Sequence, residues 1–503
     1  MLEAVRLCQE NSWDFSEIFR NQFLLARSRT KPDPSWPSKK IGDWWLHRCP
    51  KLPLCRLLGP GGDMLGLVIG IAIDATGQPL TSDRQLDSAE PLETERFIET
   101  LAGRFLAILA SSGQQRIYFD PTAGITAVYS ATHQTVCSNV TLGLDRPIDP
   151  APGIDPQAVM AGQDRLYLGE TPDHAFTRVY ANHYLDLDRF EMVRHWPKPD
   201  MAPEASGLSP QELGERISAR LQQVMAGLLN NHRCALPLSA GKDSRILLSA
   251  ALPNLGKLAH VYSFCINKIT RYDCRVAQKL SWEFGFPLQI VARGSYFYKQ
   301  SFRPPEIDEL RRKMALSTGF CANGRDNHHA KTLTIAPGGD ITLRGNLCEI
   351  TRANKYRRPF PEEGFTRDVA FGALMELSPE EAAEKFTPDR LAALRQRYWD
   401  WADTLPDAYQ GRLIDMAHCE HWLPAVGNTE YLAYTNALFL NPYNDRQLLY
   451  WAMCCPPEER KKDALVHAII GTSDKRLLDT PFLYKYIKQS DAALQPDADL
   501  FDL

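Results

Sequence analysis

The 503-residue sequence predicts an α/β protein in two parts, an N-terminal α+β sandwich and a C-terminal doubly wound parallel sheet with a helical C-terminal part. Three observations predict it. Short apolar strands near 235–238, 259–264 and 288–291 alternate with helical patterns, the order of a parallel sheet with crossover helices. The first of these strands runs into Leu-Pro-Leu-Ser-Ala-Gly-Lys-Asp-Ser-Arg at 236–245, where a small polar turn opens directly into a helix. From Asp43 to Ser138, by contrast, strand-like segments and hairpin signals follow one another with one helix among them.

Composition sets the bounds. A chain of this length exceeds one core and holds two or three domains. Hydrophobic residues at 44% and charged residues at 23% are ordinary globular values. A net charge of −4 carries no polybasic signature, which argues against nucleic acid as the main partner. The longest apolar run, at 64–73, is far short of a membrane span and reads as a buried strand. Glu3 and the mixed polarity after it do not make a signal peptide. Twelve cysteines form no CxxC pair, and the adjacent Cys454 and Cys455 read as structural. That usage predicts a reducing cytoplasm and no zinc site.

Residues 1–40 give no clear assignment, and the prolines at 32, 34 and 37 forbid a helix there. Strands are predicted at 44–47 and 55–58, and the Gly/Pro cluster at 59–63 joins a hairpin. A helix fits 93–101, followed by strands at 103–109, 115–121, 127–130 and 135–138. The Pro-rich stretch from Trp196 to Pro203 marks a boundary, giving domains 1–195 and 209–503 with a linker at 196–208. Ser209 and Glu212 form a capping box with Pro210 at the first helical position, and Leu213, Ile217, Leu221, Val224 and Leu228 make one apolar face. Pro237 suggests that its strand ends there or leaves its N–H side free. Asp273 is placed as the cap of a helix with Val276, Ala277, Leu280 and Phe284 on one stripe, stopped by Gly285. Residues 365–430 read as mostly helical, and Asp445 as a helix cap.

The turn at 239–244 has the makings of an anion site. Small residues let backbone N–H groups approach phosphate oxygens, and the helix adds its positive dipole end. Asp243 offers a carboxylate for a metal and Ser244 a hydroxyl. It is no Walker loop, because Asp243 follows Gly241-Lys242 and no Gly stands five residues upstream.

With Ala240 in place of its first Gly, the turn resembles the Ser-Gly-Gly-x-Asp-Ser pyrophosphatase-type loop of adenylating enzymes. Gly345 and Glu349 match two places of a Ser-Gly-x-Gly-x-Asp turn, although Arg344 and Leu347 depart from it. Pro442, Tyr443 and Asp445 match a third turn. Gly103, Phe105, Asp120, Gly124 and Ser138 can be laid on a glutaminase-like domain. In this order the islands resemble the asparagine synthetase-like, AMP-forming amide ligases. The resemblance implies a glutaminase-like sandwich, an ATP-pyrophosphatase-type sheet, and ATP and Mg2+ as cofactors. It places Leu238, Ser239, Gly241, Lys242, Asp243, Ser244 and Gly345 around the nucleotide, Phe264 against adenine, and Asp243 and Glu349 on magnesium. It assigns the transition-state lysine to Lys485, with Lys488 the alternative, and a general base to Glu420, with Glu430 the alternative. The plainer alternatives are a solvated surface lysine, a helix-surface acid, and an exposed Glu349 after a hairpin.

A glutaminase of this class uses a cysteine directly after Met1, and Leu2 stands there, so no glutamine hydrolysis is expected. Nitrogen would then come from ammonia, from an ammonia-supplying partner, or from an amine of the substrate, as in β-lactam synthetases and lasso-peptide cyclases. The carboxylate substrate would be a small molecule or a peptide, a peptide-presenting partner is possible, and neither nucleic acid nor membrane is expected. Sulfur transfer through an adenylate fits less well, for want of paired cysteines. A non-catalytic nucleotide-binding partner subunit stays open.

Overall fold

The apolar run at 64–73 forms one ten-residue strand, Met64–Ile73, around which the N-terminal half is built. It pairs antiparallel with Leu54–Leu58 and Ala102–Ser111 inside a seven-stranded sheet. A six-stranded antiparallel sheet faces it, with Phe23–Ala26 between Trp44–Arg48 and Thr135–Cys137. Leu25 and Leu46 of one sheet share a core with Leu67, Ile69, Leu106 and Ile108 of the other. The opposite face, through Leu65, Val68, Phe105 and Ala107, packs on Ile98 and Leu101. Burial on both faces explains why this strand reads as a continuous apolar run rather than an alternating one. The protein is described by a computed structural model covering residues 1–111, 113–161, 163–292, 304–321, 336–357, 366–427 and 437–493.

Other elements of this half form where the sequence shows no clear pattern, or are shifted from their expected place. Helices Glu3–Asn11 and Phe15–Ile18 and strand Phe23–Ala26 occupy the unassigned first 40 residues. The helix placed at 93–101 is Pro91–Glu99, with Pro91 in its first turn, and the next strand starts at Ala102.

The C-terminal half contains a five-stranded, all-parallel sheet in the order Gln289–Ala292, His260–Cys265, Cys234–Pro237, Ile341–Leu343, Leu438–Leu440. The first strand in the chain is central and the sheet grows outward on both sides, which sets a crevice at its C-terminal end. Pro237 sits where that strand ends: it pairs with Tyr262, while the ladder to Ile341–Leu343 reaches only Ala235. Helix Pro210–Asn231 has the expected capping box and buries Leu213, Ile217, Leu221, Val224 and Leu228. Helix Lys268–Phe284 starts earlier than expected. Asn267 caps it, in a reciprocal box with Thr270, and Asp273 lies in the second turn; Gly285 ends it at φ 69°. Residues 366–427 carry helices Arg367–Met375, Pro379–Lys385 and Pro388–Asp403 before a π-helix, His418–Gly427. Pro424 lies inside that π-helix, where its missing N–H leaves the ladder without one donor.

The turn at 441–446 fastens the two halves. Asn444 Nδ2 donates to Gly103 O and Asp120 Oδ1, both at 2.7 Å, and Gly103 N donates back to Asn444 O at 2.9 Å. Gly103 has φ 115°, and a Cβ there would lie 2.4 Å from Ile71 O, so only glycine fits. Asp445 caps helix Arg446–Cys454 as expected and also accepts Arg220 Nε at 2.8 Å. Cys454 and Cys455 are buried and unbridged. Among the described residues no helix is long and apolar enough to cross a membrane.

Candidate functional site

Strand Cys234–Pro237 delivers the loop at 238–241 to the C-terminal end of the sheet, and helix Lys242–Ala251 leaves from it. Three bonds set the loop's shape. Ser239 Oγ accepts Gly241 N at 3.1 Å and lies 3.0 Å from Ser244 Oγ, and Ala240 N donates to Asp273 Oδ1 at 2.8 Å. Asp273 is therefore a loop anchor rather than a cap. No side chain caps helix Lys242–Ala251, so the N–H groups of its first turn and the positive dipole end are left to serve an anion. Leu483 N donates to Ala240 O at 3.1 Å, docking the start of helix Leu483–Ala493 on the back of the loop.

A cavity of about 450 Å³ opens in front of this loop. Leu238, Ser239, Asp243, Ser244, Phe264 and Gly345 all line it, together with Asp273, Arg344 and Trp422. Phe264 comes from the end of the adjacent strand. Gly345 passes so close that a Cβ there would stand 3.0 Å from Asp243 Cβ. The space is within the range of small-molecule sites, with polar groups at the loop and aromatic rings beside it.

Of the other expected residues that the structure describes, none lines this cavity, Gly241 and Glu349 included. Lys242 turns away, its Nζ bonded to Asp463 Oδ2 at 2.5 Å. Lys485 and Lys488 are exposed on the helix docked behind the loop and do not line the cavity. Glu420 is fully buried rather than a helix-surface acid, and it does not line the cavity. Its oxygens accept Arg194 Nη1 and Nη2 at 2.8 Å each, Asn182 Nδ2 at 3.0 Å and Trp401 Nε1 at 2.7 Å. Glu430 lies outside the described residues. Cys8, the cysteine nearest the start of the sequence, is buried, and burial together with Asp14 pushes its thiol up to about 12, which leaves no nucleophilic thiolate.

The two acids expected to hold magnesium are joined by a guanidinium. Arg352 grips Asp243 with Nε at 3.1 Å from Oδ1 and Nη2 at 2.9 Å from Oδ2, and Nη2 lies 3.6 Å from Glu349 Oε1. Glu349 is not an exposed hairpin acid. Burial, and the charge of Asp243, push its carboxyl up to about 7. A magnesium ion needs carboxylate oxygens at about 2 Å, and here both oxygens of Asp243 are already engaged. So arranged, the pair does not fit a metal ion.

No family model matches this chain, and no curated protein matches it in sequence. The site's meaning therefore rests on its own geometry.

Sequence reasoning missed Arg352, Trp422, Arg344 and the anchoring role of Asp273. Arg352 had one local signal, its i,i+3 spacing from Glu349. Trp422 had none: it comes from the π-helix, stacks on His418 at 5.0 Å and carries Lys355 Nζ 4.0 Å above its ring.

Proposed function

We propose that the protein is an asparagine synthetase-like, ATP-dependent amide ligase. The observation that carries this is the cavity at the C-terminal ends of the parallel strands, opening on the 238–241 loop and the uncapped start of helix Lys242–Ala251. Helix N-termini of this kind receive phosphate without further devices. Ser239 and Ser244 would face the pyrophosphate portion, with Arg344 also lining the cavity and Phe264 and Trp422 as apolar surfaces for the base. A substrate carboxylate oxygen attacks the α-phosphorus, the bond to pyrophosphate breaks, and an acyl-adenylate forms. Ammonia or a substrate amine then attacks the acyl carbon, AMP leaves, and the nitrogen loses a proton. The chain's own contribution is to hold the two anions in line and exclude water.

A second proposal, a nucleotide-binding subunit without chemistry, is favoured by the guanidinium joining Asp243 to Glu349 and by a cavity lining that includes neither Lys485 nor Lys488. Incubating the purified protein with ATP, with and without MgCl2, and with pooled carboxylates plus ammonia or amines separates the two. Ligation releases AMP and pyrophosphate; the subunit binds ATP without releasing either. Neither product, together with an Asp243→Ala variant whose nucleotide affinity is unchanged, sinks the ligase proposal.

A further inference from the structure

The Arg352 guanidinium is held like a bound ion. Its fork meets both oxygens of Asp243, the bidentate geometry that makes such pairs strong, while Nη1 donates to Asn354 Oδ1 at 2.8 Å and fixes the plane. The backbone beneath it is set as well, in the 3₁₀ helix Asn346–Arg352 closed by Ala353 in the left-handed region at φ 47°. The side chain is only 20% exposed. Of the described basic groups near the two acids, Arg352 alone touches both, because His418 Nε2 reaches only Glu349, at 3.4 Å. Asp243, in the first turn of the loop helix, would on its own repel an incoming phosphate; paired with Arg352 it does not.

We infer that Arg352 is the resident cation of this site, standing between Asp243 and Glu349 where a divalent metal would stand, so that nucleotide phosphates bind without a metal bridging these two acids. The inference rests on the nucleotide site proposed above. Arginine suits the place because its charge is permanent and its fork matches a carboxylate, whereas a lysine would offer a single point charge. Losing the guanidinium would leave two neighbouring carboxylates, which is a donor set for a divalent ion rather than a seat for an anion.

The test is calorimetric titration of ATP into the full chain in EDTA and in MgCl2, using the wild type, Arg352→Met and Arg352→Lys, with Mn2+ binding followed separately by electron paramagnetic resonance. The wild type should bind ATP with dissociation constants within about threefold in the two buffers. It should retain no tightly bound Mn2+. Arg352→Met should lose at least roughly tenfold in EDTA, recover in MgCl2, and take up Mn2+, with Arg352→Lys in between. Wild-type binding that requires MgCl2, or tight Mn2+ on the wild type, overturns the inference and leaves the nucleotide site standing. No binding in either buffer removes the nucleotide site and the inference with it. The wild-type arms decide the matter even if a variant does not fold.

Discussion

Replacing Glu420 by Gln should unfold the protein more readily rather than abolish a catalytic step. The carboxylate is fully buried and accepts four hydrogen bonds, two from Arg194, one from Asn182 and one from Trp401. Gln keeps one acceptor oxygen, and its amide N–H groups must face either the Arg194–Asn182 pair of donors or the Arg194–Trp401 pair. At least two bonds are lost, and the buried Arg194 loses its counter-charge. Removing one partner of a buried ion pair costs roughly 3–5 kcal/mol, and that figure already contains the lost hydrogen bonds. At about 2 °C per kcal/mol for a large domain, the thermal midpoint falls by roughly 6–10 °C. Differential scanning fluorimetry of wild type and Glu420→Gln reads this directly, with ATP titration of both at a temperature well below either midpoint. A midpoint within about 1 °C of wild type would refute the buried-network argument. An unchanged midpoint with ligation abolished would restore Glu420 as a base.

Two further outcomes follow from the same kind of accounting. Burial holds the ring of His421 down to about 3 and those of His183 and His195 well below their ordinary value. The unfolded chain takes up these protons near pH 6.5 and the folded one does not, so stability is intact above that pH and falls below it, by about 1.4 kcal/mol per unit for each ring. Midpoints measured from pH 7.5 to 5 should drop steadily below 6.5, His421→Phe should flatten the slope, and a level profile in the wild type would contradict this assignment. At the loop, Gly345→Ala brings a Cβ to 3.0 Å from Asp243 Cβ and 3.3 Å from its carbonyl carbon. Overpacking of that size costs on the order of 1–3 kcal/mol, which here should appear as roughly tenfold weaker ATP binding. Unchanged affinity in the variant would mean that the two turns do not need this approach.

Periodicity and punctuation made much of the second half legible. The capping box at Ser209, the apolar face of its helix, Gly285 as a stop and the run from Cys234 into the loop are local patterns whose physics is complete within a few residues. The first 40 residues resisted because strand Phe23–Ala26 is defined by its neighbours on both sides, Trp44–Arg48 and Thr135–Cys137, which lie far away in sequence. Asp273 looked like a cap because an acid before an apolar stripe often is one; Asn267, six residues earlier, wins by offering Thr270 the reciprocal bond. The site divides the same way. Ser239, Asp243, Ser244 and Gly345 were found from motif spacing, whereas the bond from Arg352 to Asp243 spans 109 residues and no local pattern encodes it. The burial of Glu420 is hidden for a related reason: a carboxylate on a helix looks exposed until Arg194, Asn182 and Trp401 are brought around it.

The turn carrying Asn444 makes Asp120 a shared possession of both halves. One oxygen of that carboxylate organises its own turn by accepting the N–H groups of Thr122 and Gly124, and the same oxygen receives Asn444 from across the boundary. Close by, Arg446 is buried with its Nε on Asn182 and its Nη2 on Phe119 O. A gene cut between residues 195 and 209 would therefore not release two independent modules. It would strip the parallel sheet of the acceptors for Asn444 and Arg446, and leave Glu420 facing solvent without Arg194. In bonding, the N-terminal sheets are a wall of the C-terminal half.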